Sequence, residues 1–129
     1  MNDKNIDLTS AEWSVMECLW ERSPLTGREV TELMHERCGW SRSTTLTLLA
    51  RMEAKGAVAG DTGSGKKEFS PLVCREDAAL QEAESFLERV YKGSLSMMVS
   101  SMTRRQQLSQ KEIDELYAIL KEMEEGNDA

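Results

Sequence analysis

Apolar and polar residues along the chain fall into three helical stripes, one short alternating stretch, and then three more helical stripes. Trp13, Met16, Leu19 and Trp20 repeat at the three- and four-residue spacing that places side chains on one face of a helix. Val30, Leu33 and Met34 repeat it, with Cys38 as a further candidate for the buried face, and Thr45, Leu48, Leu49 and Met52 repeat it again. The period then shortens. Ala57-Val58-Ala59-Gly60-Asp61 and Lys66-Lys67-Glu68-Phe69-Ser70-Pro71-Leu72-Val73 read as strands joined by Thr62-Gly63-Ser64-Gly65, which predicts a hairpin. Helical spacing returns at Leu80, Ala83, Leu87, Val90 and Tyr91, with Phe86 beside them. A methionine-rich segment over residues 95–102 follows, and then Ile113, Leu116, Tyr117, Leu120 and Met123.

The starts and stops are written in local chemistry. Thr9 with Glu12, Thr26 with Glu29, and Ser109 with Glu112 have the spacing of capping boxes, in which two free N–H groups at a helix start are satisfied reciprocally. Leu8 with Trp13, Leu25 with Val30, and Leu108 with Ile113 flank them as hydrophobic staples. Ser23-Pro24 breaks the first helix. Gly39 suits a helix end, because glycine enters the left-handed region without strain, and Ser41 suits the next start. Gly56 closes that helix. Trp40 is placed to plug the junction between helices.

Helix, helix, turn, helix and hairpin in this order predict a winged helix-turn-helix with the third helix as its recognition element. Away from the apolar face, that helix carries Ser43, Leu46, Thr47 and Ala50, with Arg42, Arg51 and Lys55 at the margins. Short side chains reach base edges in a major groove while cations and hydroxyls meet phosphates. Ser43, Leu46 and Thr47 are therefore the candidate base readers. Arg42, Thr44, Arg51, Lys55 and the hairpin lysines Lys66 and Lys67 are the candidate phosphate ligands. The hairpin lacks the full spacing of a nucleotide phosphate-binding loop.

Charge changes this picture only when it is divided. The net charge of −7 argues against nucleic acid. Residues 22–75, however, hold nine cations against six acids, whereas residues 1–21 hold one against five and residues 76–129 six against twelve. Only the segment with the candidate recognition helix is basic; acidic flanks limit non-specific binding and favour solubility. No run approaches the ~20 apolar residues of a membrane span. The first five residues are polar, without the apolar core of a signal peptide. Three cysteines, none in a Cys-x-x-Cys pair, fit a reduced cytoplasm. His35 is the sole histidine, and no set of residues resembles a nucleophilic triad or a metal site. The chain is expected to be neither an enzyme nor dependent on a cofactor or metal.

Taken together, Leu8-Thr9-Ser10-Ala11-Glu12-Trp13-Ser14-Val15-Met16, Leu19-Trp20, Trp40-Ser41 followed by Thr44, Thr47, Leu48, Leu49 and Arg51, Lys55-Gly56-Ala57, Ser70-Pro71-Leu72-Val73, Ser85-Phe86-Leu87, Tyr91-Lys92-Gly93-Ser94-Leu95, Leu108-Ser109 and Glu112-Ile113-Asp114-Glu115-Leu116 stand in one order and spacing. By these the chain resembles the penicillinase-repressor family of bacterial regulators (the BlaI/MecI/CopY group) from Leu8 to Met123. The resemblance implies an N-terminal winged helix on a dyad-symmetric DNA operator and a C-terminal helical part that dimerises. It also implies a repressor whose partner is a membrane sensor with a cytoplasmic metalloprotease, inactivated by cleavage around residues 95–102. The cleavage dipeptide is not recognisable here. Copper-sensing members end in paired Cys-x-Cys motifs, which the tail Gly126-Asn127-Asp128-Ala129 lacks; that excludes Cu(I) sensing by that route. Ser43 and Leu46 stand where the family often has basic or polar residues.

A mainly α architecture is expected, with a winged helix over residues 1–73 and a helical dimerisation region over residues 74–129. Leu80, Phe86, Leu87, Val90, Tyr91, Leu95, Met98, Met102, Ile113, Leu116 and Leu120 are the candidate dimerisation residues, because three helices of this length cannot enclose a core alone. Two further readings are a winged helix that binds proteins instead of DNA, and a repressor controlled by a small ligand among Met97, Met98 and Met102.

Overall fold

Each helix of the N-terminal half begins where a side chain satisfies its free N–H groups. In the computed structural model, which describes residues 6–127, Thr9 caps helix α1 (Ser10–Glu21) and Thr26 caps α2 (Gly27–Cys38). Both capping boxes close in full: Glu12 N–H donates to Thr9 Oγ1 at 3.2 Å and Thr9 N–H to Glu12 Oε1 at 2.9 Å, with 3.1 and 2.8 Å for Glu29 and Thr26. Gly39 ends α2 at φ +72° and Gly56 ends α3 (Arg42–Lys55) at φ +87°, conformations that a side chain at Cβ would strain. Ser109 supplies half of its box, accepting from Glu112 N–H at 3.2 Å. The polar first five residues and the last two of the tail, both used in the sequence reading, lie outside the described residues.

The expected hairpin is present as β2 (Val58–Asp61) and β3 (Glu68–Pro71), antiparallel, with Gly60 opposite Phe69. A third strand was not anticipated. Leu25 and Thr26, read only as a staple and cap, form β1 and pair with Phe69 and Glu68 before α2 begins, giving the order β1-β3-β2. Two residues are too few to show a period. Val15, Met16, Cys18 and Leu19 of α1, Val30 and Met34 of α2, Leu49 and Met52 of α3, and Leu25, Ala57, Val58 and Phe69 form one buried core. Leu8, Leu33, Leu48 and Trp40 pack partly buried against it. Cys38 does not join them: it is exposed at the end of α2. This is a winged helix.

Beyond it run α4 (Arg75–Tyr91), α5 (Leu95–Arg105) and α6 (Gln110–Asn127). Ser94 caps α5, accepting from Met97 N–H at 3.1 Å. The described residues divide into two compact units, one up to residue 83 and one from residue 84 onward. None of these three helices contains a buried residue.

Candidate nucleic-acid interface

Helix α3 separates its faces sharply. Thr45 and Met52 are fully buried and Leu49 nearly so, which fixes the helix against α1 and α2. Arg42, Ser43, Thr44, Thr47, Ala50 and Arg51 are exposed in consequence. Ser41 Oγ accepts from Thr44 N–H at 3.2 Å and donates to Thr44 Oγ1 at 2.9 Å, with Ser43 Oγ at 3.3 Å, so three hydroxyls cluster at the helix start. Leu46 is 38% exposed, with its Cδ2 against the first residue of α2; a Cβ built on Gly27 would touch it at 3.6 Å.

The wing is shaped by its own turn and tied to α3. Asp61 Oδ1 accepts from Gly63 N–H at 2.9 Å and Thr62 O from Gly65 N–H at 3.0 Å, which closes the loop tightly. Lys67 Nζ donates to Glu53 Oε1 of α3 at 2.8 Å and lies 5.5 Å from the Phe69 ring centroid. Gly60 makes room for this bridge: a Cβ there would collide with Lys67 Cε. Sequence reading missed that role, because the partner of Gly60 lies across the hairpin.

The five cations expected near phosphate or at the helix margin therefore differ in commitment. Arg42, Arg51 and Lys66 are exposed and make no ion pair among the described residues. Lys67 is bridged to Glu53. Lys55, read from the sequence as a phosphate ligand, donates to Glu12 Oε1 and to Asp7 O, both at 2.8 Å. Glu12 is fully buried and its Oε2 has no hydrogen-bond partner among the described residues. Burial pushes its carboxyl up, but the hydrogen bonds from Lys55 and from Thr9 N–H outweigh burial and hold it below the usual range.

His35 is exposed with Nδ1 3.2 Å from Trp40 O. Burial pushes the Cys18 thiol up, which disfavours the reactive thiolate. Among the described residues no group of three or more His, Cys, Asp or Glu side chains is arranged to hold a metal ion.

A sequence model described as penicillinase repressor matches residues 8–122. The chain belongs to the penicillinase repressor family. It is 30% identical over 120 residues to the methicillin resistance regulatory protein MecI of Staphylococcus aureus strain N315, covering 93% of this chain and 98% of that one. It is 34% identical over 115 residues to the penicillinase repressor of Bacillus licheniformis, covering 89% and 90%. A solution structure of monomeric Bacillus licheniformis BlaI in complex with the blaP half-operator matches with a TM-score of 0.52 at 27% identity, over 57% of this chain and 90% of that one. This is a family of repressors, not of enzymes.

The candidate dimerisation residues of this family member lie open in the single chain. Leu80, Phe86, Val90, Leu95, Met102, Leu116 and Leu120 are each at least 40% exposed, and Leu87, Tyr91, Met98 and Ile113 are half-buried. Leu108, Ile113, Leu116, Tyr117 and Leu120 line one shallow apolar cavity of about 170 Å³. Met97 and Met102 are likewise exposed. No described helix is long and apolar enough to cross a membrane.

Proposed function

We propose that this protein represses transcription by binding a dyad-symmetric DNA operator as a homodimer. The observation that carries the reading is the exposed face of α3, with small hydroxyls between Arg42 and Arg51, two cations that no carboxylate among the described residues neutralises. BlaI in complex with a half-operator, at 27% identity, supports it. Ser43, Leu46 and Thr47 read base edges; Arg42, Thr44, Arg51 and Lys66 hold phosphates. Lys67 sets the wing against α3. Lys55 is left out of the DNA-contacting set because its ammonium is already held by Glu12 and Asp7. The exposed apolar residues of α4, α5 and α6 join two copies, whose recognition helices enter half-sites roughly 34 Å apart. Control acts in the cytoplasm by proteolysis around residues 95–102, downstream of a membrane sensor metalloprotease, because separating the copies removes the gain from binding two half-sites at once.

Fluorescence anisotropy with a labelled duplex selected from random sequence tests the DNA reading. Binding should weaken steeply as salt rises, and Arg51→Ala should reduce the slope of log affinity against log salt by about 0.9, the value of one lost phosphate contact. The dimer should persist in that variant. Salt-independent binding, or none, would reject the reading in favour of a protein-binding winged helix.

A further inference from the structure

The sequence motifs leave Trp13 and Trp20 as staple and core residues, yet both belong to a polar assembly at the root of α4. Their rings meet edge to face, 5.2 Å between centroids. Arg75, the first residue of α4, lies over both, its guanidinium carbon 5.9 and 6.0 Å from the two ring centroids. Between the tryptophans, Glu17 takes the guanidinium in a two-pronged grip, Nε to Oε1 and Nη2 to Oε2, each 3.0 Å. Trp13 Nε1–H donates to Glu17 Oε2 at 3.1 Å, and Trp20 Nε1–H to Val73 O at 2.9 Å. The hydrogen bond from Arg75 is the main reason the Glu17 carboxyl lies below its usual range. A half-exposed ion pair contributes little stability by itself. A planar guanidinium held by two parallel bonds and two aromatic faces does fix direction.

We infer that Arg75 is a positioning residue for operator binding: by locking the start of α4 onto α1, it sets the half-site separation a dimer accepts. This rests on the repressor reading above. A dimer with a loose joint between winged helix and α4 would tolerate many separations; one with a locked joint accepts few.

The test uses the full-length chain, Arg75→Ala, Arg75→Lys and Glu17→Gln on three duplexes: the selected operator, the same operator with 5 bp added between half-sites (about half a helical turn), and a single half-site. The unaltered chain should lose roughly 100-fold affinity on the lengthened duplex, the gain of linked binding being of that order. Arg75→Ala should lose only a few-fold, with half-site affinity unchanged. Arg75→Lys should follow alanine, since charge without the fork does not restore the grip. Undiminished spacing discrimination in Arg75→Ala, or an equal loss on all three duplexes, would overturn the inference.

A DNA-free measurement separates this from the repressor reading. Nitroxides attached through Thr47→Cys, in a background with Cys38→Ser and Cys74→Ser, report the distance between the two copies. The distribution should broaden in Arg75→Ala; an unchanged width overturns the positioning role. Failure of the unaltered chain to bind any duplex would overturn the repressor reading itself, whatever the label distances show.

Discussion

The winged helix and the helical region beyond it solve opposite problems with similar helices. In residues 6–83, α1, α2 and α3 turn their apolar stripes toward one another, and the sheet closes the remaining side, so twelve hydrophobic residues are buried. In residues 84–127 the stripes are just as regular, but no residue of α5 or α6 is buried. An amphipathic stripe is thus a demand for cover, and only the first unit meets it within one chain. The second leaves Leu116, Leu120, Ile119 and Met123 at 40–64% exposure, the stripe that the proposed dimer would cover. Monomers rarely leave so much apolar side chain contiguous and open.

The largest effect should come from charging that open stripe. Leu116→Asp should abolish the dimer in sedimentation and reduce operator affinity roughly 10²–10⁴-fold, the range over which linking two sites raises affinity. The winged helix should stay folded, with tryptophan fluorescence unchanged. A monomer with full operator affinity would break the proposed division of labour. A somewhat smaller effect sharpens it from the other side. Leu49→Ala opens a cavity beneath α3 and should cost about 2–5 kcal/mol in urea unfolding. That loss should not depend on protein concentration, because the core of this unit belongs to one chain.

Next in size is the Lys55–Glu12 pair, which joins the end of α3 to the start of α1. Because the folded-state pKa of Glu12 lies below its ordinary value of 4.5, its stabilisation is present above 4.5 and is lost as pH falls through the folded value. Urea midpoints should hold between pH 6 and pH 5 and drop as pH falls below 4.5. Lys55→Met removes the largest effect holding that carboxyl down and should cost about 1.5–3 kcal/mol at pH 6. It should also flatten the acid dependence. A variant with unchanged stability, whose salt slope on DNA nevertheless falls, would return Lys55 to the phosphate set.

This pair also shows where sequence reading stops. The capping boxes at Thr9 and Thr26, the glycine at each end of the turn-flanking helices and the split faces of α3 were legible because each depends on residues within four positions. Lys55 and Glu12 are 43 positions apart, and Arg75 and Glu17 are 58 apart. Nothing in spacing marks such partners; each residue alone reads as a solvated charge or a cap. Strand β1 was hidden because its two residues owe their conformation to Phe69 and Glu68 across the sheet. Cys38 followed the helical period but sits in the last turn, past the reach of the core.

The smallest effect is the most discriminating, because it compares adjacent lysines that composition cannot tell apart. Lys66 and Lys67 both sit at the end of the wing's turn, just before β3, and are both exposed. Lys67 is bridged to Glu53 at 2.8 Å, so its charge is already partly answered inside the protein. Lys66 makes no such pair among the described residues. If counterions are released only where a cation meets phosphate, Lys66→Ala should lower the salt slope by about 0.9 and Lys67→Ala by little. Lys67→Ala should instead loosen the wing from α3, seen as faster amide exchange at Gly60 and Phe69, since strand openings are governed by local rather than global stability. Equal slopes lost by the two variants would mean that the Glu53 bridge gives way when DNA arrives.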